Sequence, residues 1–586
     1  MRFTVPRLAL TSLILAISTF LYLSYPTRFT WPHIPANEEK GPQRLTTKPP
    51  PPAPPPASQA ASDQSRPIPP HNSTASPVLL DFWRTWASHI VAAKPRIGPV
   101  QVAWAAANIP AKQFDPYATR GKPVNHIEIS DEDVNSLKGS HAQIRGSLED
   151  FHVEEEVKKL YAGTGIVTVA GGEFFGPSIV GIRMLRQTGS TLPVEVFLAD
   201  WSEYEPKICE EVYPALNARC IVVTDYVLPD VPEQRVPDLP SITHFQLKAL
   251  ALLLSSFEQI LYLDSDSIPL LDPQSELFSR PPYTHTGYIG WPDFWLGTES
   301  PIFYTIAGKG GDFPSDLPRT SSETGQLLID KRRHLRTLLL ATYYNVWGPE
   351  YYYPLLSQGG MGQGDKNTFE TAAIVLGVPY YRVITPTKSL GRFDGGQFKG
   401  SGMVQFHPTD DYRKYGKKAA QSSSSISASA SAMISASVSA MSSASVSATT
   451  SATAEATQMA GHAPLLSSPA ENKEKRRSKR QVSEALGNND PSIRPAFLHA
   501  NTPKMNAGHL VDEGDLNDKN SGEALRLWGS LEDQEKLFGV DLERKVWGEM
   551  VTSACDLENV IYEWEGRSDI CGRLKNHRAK IFAGGE

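Results

Sequence analysis

The sequence has little cysteine, little net charge and few long apolar runs. Its 586 residues include four cysteines, and a formal net charge of -7 provides no basic surface for nucleic acid. The cysteines lie in two close pairs, Cys209 with Cys220 and Cys555 with Cys571. Two local disulfides and four buried free thiols both fit this number, and the oxidising compartment inferred below favours the disulfides.

A long apolar run lies at the N-terminus, at residues 8–25, preceded by Arg2 and Arg7. A run of about 18 residues is near the minimum for a helix that crosses a bilayer, and basic residues before such a helix stay in the cytosol. A cleaved signal peptide is the alternative, but the run ends at Tyr25 and Pro26 without a small-residue cleavage site. We therefore expect a cytosolic tail at residues 1–7, a signal anchor at residues 8–25 and a lumenal remainder.

Two segments have few of the large apolar residues that a folded core requires. Residues 26–78 are rich in proline, which favours extended geometry, and predict a lumenal stalk that contains a glycosylation sequon at residues 72–74. Residues 419–490 are largely serine and alanine and predict a disordered insertion. The basic run at residues 475–480 is either a processing site or a solvated charge run. The catalytic domain is accordingly predicted at residues 79–418 and 491–586.

Short apolar runs alternate with helical patterns in the rest of the chain. Strand patterns occur at residues 166–170, 194–198, 220–223 and 260–263, and residues 243–255 have the pattern of an apolar helix. Strands separated in this way predict an α/β fold, with a largely parallel sheet and helices on both faces. In such sheets, ligands bind at the carboxyl ends of the strands.

Two carboxylates directly follow the last of these strand patterns. Asp264 and Asp266 are separated by one residue, and in an extended segment such residues project to the same side. Both can approach one hard cation, Mn²⁺ or Mg²⁺, which would bridge phosphates and offset the charge on a leaving nucleoside diphosphate. A turn or capping role is the usual explanation of an isolated Asp-x-Asp. The apolar strand before this pair favours a metal site.

The order of the motifs resembles a known family, the fungal Golgi α-mannosyltransferases that branch and extend N-glycan outer chains. The motifs are residues 245–250, 262–266 and 272–273, Gly171-Gly172 with Ser178 and residues 183–186, and residues 323–326, 362–366 and 499–504. The resemblance covers roughly residues 165–506 apart from the Ser/Ala-rich insertion. It is closest to the α-1,2-mannosyltransferase branch, and the α-1,3 relatives share much of the pattern.

The resemblance implies a Rossmann-like GT-A fold, GDP-mannose as the donor and Mn²⁺ as the cofactor. It also implies a retaining transfer to mannose-terminated glycans of glycoproteins, as in cell-wall mannan, by a type II protein of the Golgi membrane. An α-1,3-mannosyltransferase or another hexosyltransferase is an alternative within the same class. A non-catalytic lumenal scaffold is the alternative from another class, and the intact Asp264 and Asp266 pair argues against it.

Four residues are candidates for binding the donor: Gly171, Gly172, Lys248 and Gln326. Gly171 and Gly172 end a strand and would let the backbone approach a nucleotide, or they form only a tight turn. Lys248 would supply charge to the phosphates, or its stem lies among leucines and its amine reaches solvent. By resemblance, Gln326 would lie near the sugar or the acceptor, and the alternative is a turn before a core strand.

Asp365 and His499 complete the candidate site. Asp365, in a glycine-rich loop, would bind the acceptor, or it is the N-cap of a helix that begins near residue 367. His499 follows an apolar strand pattern and would be the third metal ligand. His407, which precedes Pro408, is the rival candidate for that role.

Overall fold

The computed structural model describes residues 72–103, 124–151, 155, 159–309, 320–360, 362–394, 397–416, 491–512 and 516–582. The predicted tail, anchor and Ser/Ala-rich insertion, and nearly all of the predicted stalk, lie outside these residues. Within the described ranges, no helix is long and apolar enough to cross a bilayer.

The described strands form three sheets. In chain order they are β1 (Gln101–Val102), β2 (Ile127–Glu128), β3 (Thr164–Val169), β4 (Val194–Leu198), β5 (Ala218–Val222), β6 (Gln259–Leu263), β7 (Ser267–Pro269), β8 (Tyr288–Leu296), β9 (Thr320–Asp330), β10 (Tyr381–Arg382), β11 (Lys388–Asp394), β12 (Gln397–Phe406) and β13 (Pro495–His499). Strands β1 and β2 form a short antiparallel pair.

Seven of these strands form the central sheet, in the order β10-β8-β9-β6-β3-β4-β5. Strands β6, β3, β4 and β5 are parallel neighbours, so the parallel sheet predicted from the sequence is confirmed in this half. Strand β9 runs antiparallel to both β6 and β8. Strand β8 therefore runs in the same direction as β6, and both have their carboxyl ends at the same edge.

The longer helices cover both faces of this sheet, as predicted. They are α1 (Pro77–Ala92), α2 (Asp131–Asp150), α3 (Phe175–Gln187), α4 (Gln246–Leu254), α5 (Lys331–Val346), α6 (Thr368–Leu376), α7 (Leu531–Phe538), α8 (Leu542–Leu557) and α9 (Ile570–Ile581). Shorter helices span Tyr213–Ala215, Thr224–Val227, Tyr283–Thr286, Pro301–Ile306, Tyr353–Ser357 and Ala507–Asp512.

Residues 206–215, between β4 and β5, are helical without a break. They follow a 3₁₀ turn at Trp201–Glu203 and include a π-helical turn at Ile208–Val212 and the short helix at Tyr213–Ala215. Pro206 is the first helical residue, where the N–H that proline lacks has no partner within the helix.

Strand β6 is buried on both faces and divides the interior into two cores. Leu261 and Leu263 pack in the core that contains α3, whereas Ile260 and Tyr262 pack in the core that contains α4. A central parallel strand that is covered on both faces requires an uninterrupted apolar run. This burial fixes the strand that delivers Asp264 to the edge of the sheet.

Helix α4 is buried along its whole length and is held at both ends. The Gln246 side-chain amide donates to the backbone carbonyls of Asn345 and Val346, at the end of α5. The buried Lys331 amine donates to the carbonyls of Leu253 and Ser255, so it satisfies the last turn of α4. Lys248 therefore stands on a helix with a fixed position beneath β6.

A second sheet, of order β11-β12-β13-β7, was not evident from the sequence. Strand β7 begins immediately after Asp266 and pairs with β13, which also pairs with β12. Strands β12 and β13 lie on either side of residues 417–490, which are outside the described ranges. Their pairing brings the C-terminal part of the chain back to the strand end that follows β6.

Both predicted local disulfides are present. Cys209 is bonded to Cys220, which ties the π-helical turn to β5, and Cys555 is bonded to Cys571, which ties α8 to α9. The alternative of four free thiols is therefore wrong.

Candidate active site

Asp264 and Asp266 lie where the two sheets meet. Asp264 follows β6, and its backbone N–H donates to the carbonyl of Gly325 in β9. The carbonyl of Asp266 accepts the N–H of Ala500, which follows β13. Each aspartate is thus fixed through the backbone of a different sheet, and their side chains share the cleft between the sheets.

The structure brings His499 to this pair. Oxygen atoms of Asp264 and Asp266 and a ring nitrogen of His499 lie within 4.8 Å of one another, which is the separation that one metal ion requires. His499 is the last residue of β13 and faces Ser267 in the ladder, so its Nε2 lies 3.0 Å from Oδ1 of Asp266. Within the described residues, this is the only group of three such side chains with the spacing of a metal site.

His407, the rival candidate, does not join this group. It lies at the opposite end of the β12–β13 pair, where its backbone N–H donates to the carbonyl of Arg494. Its Nδ1 accepts the N–H groups of Thr409 and Asp410, and its Nε2 lies 3.3 Å from the Glu276 carboxylate. Burial is the main reason that the pKa of His407 falls to about 4. The geometry therefore supports a structural role for His407.

Two positively charged groups surround Asp266. His499 is one, and the Lys504 amine, 2.8 Å from Oδ2, is the other. Burial alone would raise the pKa of Asp266, but His499 and Lys504 outweigh it and hold this pKa well below its usual range. Asp266 is therefore a carboxylate at every pH near neutrality, as a ligand for a hard cation must be.

Glu323 lies behind His499 and was not assigned a role from the sequence. Its Oε1 is 3.4 Å from His499 Nδ1 and also accepts the N–H of Gly325. Burial lowers the pKa of His499 by itself, but Asp266 and Glu323 reverse this effect and raise it well above its ordinary value. A carboxylate behind a ligating imidazole holds the ring in a fixed orientation.

Gly325 leaves the space that this histidine occupies. A Cβ atom at residue 325 would lie 2.6 Å from His499 Nδ1 and 2.8 Å from Glu323 Oε1, which is too close for any side chain. The glycine in the Glu323-Thr324-Gly325-Gln326 motif is therefore explained by the close approach of a ring nitrogen rather than by a turn.

Lys248 points into the site and does not reach solvent. Its amine lies 3.2 Å from Asp264 and 3.3 Å from Asp365, and it donates to the carbonyl and hydroxyl oxygens of Thr324. Burial opposes the charged amine, but Asp264 and Asp365 outweigh that effect and raise the pKa of Lys248. The alternative that the amine reaches solvent is wrong, and binding to phosphate stays a prediction.

Asp365 is buried and paired with Lys248 and is not a helix cap. The helix that follows is α6, and its N-cap residue is Asn367. Burial raises the pKa of the Asp365 carboxyl, because its one cationic partner is shared with Asp264. A binding role for Asp365 on the acceptor side is compatible with this position and remains a prediction.

The glycine-rich loop that carries Asp365 also contributes a cation that the sequence did not single out. The Lys366 amine lies 2.6 Å from Asp293, in the carboxyl-terminal half of β8. Burial raises the pKa of Asp293, although Lys366 opposes the change. Strands β8 and β6 end at the same edge of the sheet, and no local sequence pattern indicates this direction of β8.

The three remaining candidates lie in or next to β3 and β9. Gly171 and Gly172 follow β3 with φ angles of 124° and 49°, which favour glycine. A Cβ at residue 172 would meet no atom within 4 Å, so the backbone there is open to a ligand. Gln326 is fully buried opposite Leu263, and its amide nitrogen and oxygen have no hydrogen-bond partner within the described residues. The roles of all three stay predictions.

The donor set of the triad fits a hard or borderline divalent cation. Two carboxylates and one imidazole are ligands that Mn²⁺ accepts, and the three ligand atoms are close enough to share one ion. Glu323 holds the imidazole from behind. The fold and the site together define an α/β domain with a metal-ligating triad at the carboxyl edge of its parallel strands.

The family model and the curated relatives that match this chain are mannosyltransferases. The family model described as "Mannosyltransferase putative" matches residues 163–316 and 310–407. The chain is 33% identical to the α-1,2-mannosyltransferase MNN21 of Candida albicans over 77% of this chain and 66% of that protein. It is 32% identical to the α-1,2-mannosyltransferase MNN2 of Saccharomyces cerevisiae over 61% of this chain and 65% of that protein.

This chain belongs to the fungal α-mannosyltransferase family that these relatives represent, so the family predicted from the motifs is confirmed. It spans slightly less than two thirds of the length of these relatives. Among solved structures, the glycosyltransferase GlyE of Streptococcus pneumoniae is 12% identical over 38% of this chain and 45% of that chain. Its TM-score of 0.24 is too low to carry an argument.

Proposed function

We propose that this protein is a metal-dependent retaining glycosyltransferase that moves mannose from GDP-mannose to mannose residues of glycoprotein glycans, forming α-1,2 linkages. The relatives named above are α-1,2-mannosyltransferases, which supports the sugar and the linkage. The observation that carries the proposal is the triad of Asp264, Asp266 and His499 at a strand end. A scaffold would have no need of it.

The arrangement of strands supports a GT-A type of fold. Strands β3, β4, β5 and β6 are parallel, and the triad lies at their carboxyl edge, where α/β sheets bind ligands. The reversed strand β9 contributes Gly325 and Gln326 to the same region.

Asp264, Asp266 and His499 would hold Mn²⁺, or Mg²⁺ in its place. When bound, the cation would offset the negative charge that develops on the leaving diphosphate. Lys504 lies 2.8 Å from Asp266 and is partly exposed, so its amine is free to turn toward a phosphate. Lys248 is buried between two carboxylates, and its charge keeps Asp264 and Asp365 together in one site.

The acceptor would approach from the side of the site formed by β8 and the loop that carries Asp365. Asp365 would hydrogen-bond the acceptor sugar or its attacking hydroxyl, and the Asp293–Lys366 pair lies on the same side. Transfer with retention needs no base on the far face of the sugar, because the leaving phosphate would take the proton of the attacking hydroxyl. Gly171, Gly172 and Gln326 would contact the donor.

The proposed location is the Golgi membrane, with a single N-terminal helix and a lumenal catalytic domain. Both disulfides are consistent with an oxidising lumen, since such bonds rarely persist in the cytosol. The predicted anchor at residues 8–25 lies outside the described residues, so the support for this location is the sequence pattern.

The test is an assay of the full chain with GDP-mannose, Mn²⁺ and α-linked mannose acceptors, followed by linkage analysis of the product. We expect an α-1,2-linked product whose formation stops when EDTA is added and resumes with excess Mn²⁺. An α-1,3-linked product would favour the alternative branch. A folded chain that transfers no sugar from any nucleotide-sugar would leave the scaffold as the better explanation.

A further inference from the structure

The carboxyl ends of β3 and β4 continue the site away from the triad. The Lys504 amine lies 4.8 Å from the centre of the Phe174 ring, in the turn after Gly172, and so connects this turn to Asp266. Strands β6, β3 and β4 are successive neighbours. A ligand with its phosphates at Asp266 would reach the end of β4 after two strand spacings, roughly 10 Å.

Glu203 occupies that position. It ends the 3₁₀ turn after β4, and its Oε2 accepts the backbone N–H of Ala199 at 2.8 Å. Its carboxylate lies directly against Gly171, where a Cβ atom would be 2.4 Å from Oε2 and 3.1 Å from Oε1. Gly171 therefore has to be glycine to leave room for Glu203, and the carboxylate forms part of the same surface as the two glycines.

Glu203 has no cationic partner within the described residues, which sets it apart from the carboxylates around the triad. Burial and the charge of Asp200 raise its pKa to about 7, although the Ala199 N–H opposes the change. Its Oε1 makes no hydrogen bond within the described ranges, so one carboxylate oxygen is left for a ligand. A partly buried carboxylate with a raised pKa, next to the glycines that end β3, is a candidate for a functional group.

The neighbouring acids are already engaged. Asp200 accepts the N–H of Ser202, and Asp225 accepts the indole N–H of Trp201 and the hydroxyl of Thr74. Among these acids, Glu203 is the one that lies against Gly171, and its Oε1 is the oxygen that faces the glycine turn without a hydrogen bond from the described residues.

We propose that Glu203 accepts a hydrogen bond from the nucleoside part of the sugar donor, from either the base or the ribose, and so contributes to donor binding. This inference rests on the proposed function, because it takes a nucleoside diphosphate-sugar as the donor. A guanine base offers N–H donors and a ribose offers hydroxyl donors. Both are ligands for one free carboxylate oxygen.

The experiment measures dissociation constants by calorimetry for the full chain with Mn²⁺ and four probes: GDP, IDP, 2′-deoxy-GDP and 3′-deoxy-GDP. IDP lacks the exocyclic amine of the base, and each deoxy compound lacks one ribose hydroxyl. The variants are Glu203→Gln, which keeps the side-chain size, and Glu203→Ala. Glu210→Gln, an exposed position in the next turn, is the control.

We expect Glu203→Ala to weaken GDP binding by about 10- to 100-fold, since a hydrogen bond to a charged group contributes about 1.5–3 kcal/mol. The wild type should bind one of the three analogues more weakly than GDP. Glu203→Ala should lose that preference, whereas Glu203→Gln, whose amide oxygen still accepts a hydrogen bond, should keep part of it. If Glu203→Ala no longer prefers GDP to IDP, the base is the partner of Glu203. If it no longer prefers GDP to one of the deoxy compounds, the partner is the ribose. Glu210→Gln should bind like the wild type.

Unchanged GDP affinity in Glu203→Gln and Glu203→Ala would overturn the inference and leave the proposed function in place. An equal loss for all four probes would also overturn it, because that pattern indicates an indirect effect. Absence of any Mn²⁺-dependent nucleotide binding in the wild type would overturn the proposed function, and this inference with it.

Discussion

Two halves of the site hold buried aspartates whose pKa values move in opposite directions. In the triad half, Asp266 lies between His499 and Lys504, and its pKa is lowered despite burial. In the half next to the glycine-rich loop, Asp365 shares Lys248 with Asp264, and burial prevails and raises its pKa. The two carboxyl groups are buried to a similar extent, so the number of cations next to each one decides whether its pKa is lowered or raised.

The two halves therefore suit different chemistry. A carboxylate that stays ionised is what a hard cation requires, so the triad half is suited to the metal and the diphosphate. A buried carboxyl with a raised pKa, held by one shared lysine, can bind a hydroxyl group as well as a cation. The predictions below change the balance of charge in one half at a time.

The largest effect is expected from Asp266→Asn in the triad half. The substitution keeps the shape but removes a charged metal ligand, so kcat/KM should fall by about 1000-fold, equivalent to about 4 kcal/mol. Calorimetry should show weaker Mn²⁺ binding, and circular dichroism should show an intact fold. The control is Asp272→Asn, because Asp272 only caps its own turn. Turnover close to that of the wild type would refute the metal assignment.

The next effect is on stability, from Lys248→Met in the other half. Two carboxylates would lose their shared cation, and breaking a buried ion pair from one side costs about 3–5 kcal/mol. Adding Asp365→Asn should recover part of the loss, by about 1–3 kcal/mol. Urea unfolding of the wild type, both single variants and the double variant measures this coupling. Purely additive effects would show that Lys248 and Asp365 act independently.

Glu203, which contacts no cation among the residues that the structure describes, extends the comparison to the pH dependence of stability. Its folded pKa of about 7 lies above its unfolded value of 4.5. The folded state therefore binds the extra proton between these values, and stability falls as pH rises through this window. Glu203→Gln should remove this loss, so from pH 4.5 to pH 7.5 the variant should gain about 3 kcal/mol relative to the wild type. A constant difference across the window would show that the carboxyl is not shifted.

The smallest effect is expected from Lys504→Met, which removes one of the two cations at Asp266. Lys504 is partly exposed, so stability should change little, whereas the KM for the donor should rise by about tenfold with the loss of one charge-assisted contact. Steady-state kinetics at varied donor concentration would measure it. Lys536→Met, an exposed lysine of α7, should behave like the wild type. A lower kcat at unchanged KM would place Lys504 at the reacting atoms instead.

Much of the central sheet could be predicted from local sequence. The run before Asp264 has the length of a strand and is apolar at every position, as a strand buried on both faces must be. Its position and its type of secondary structure therefore follow from the local sequence alone. The same reasoning located β3, β4 and β5 within two residues of their bounds.

The pairing of distant segments could not be read from the sequence. Strand β13 reaches β7 across the Ser/Ala-rich segment, and no local pattern records that His499 and Ser267 are neighbours. The sequence could not decide between His499 and His407 as the third metal ligand, because this depends on which end of β13 lies next to Asp266. Lys504, Glu323 and Asp293 likewise take their places in the site through contacts with residues that are far away in the sequence.

The sequence by itself determined the strand, the two carboxylates after it and the family, because each is a local pattern of apolar and acidic residues. Only the tertiary structure decided the protonation behaviour of those carboxylates. It brought His499 and Lys504 to Asp266 and gave Asp365 only a share of Lys248. Burial penalises charge at both aspartates to a similar extent, so the cations that distant segments supply determine which of these acids stays ionised.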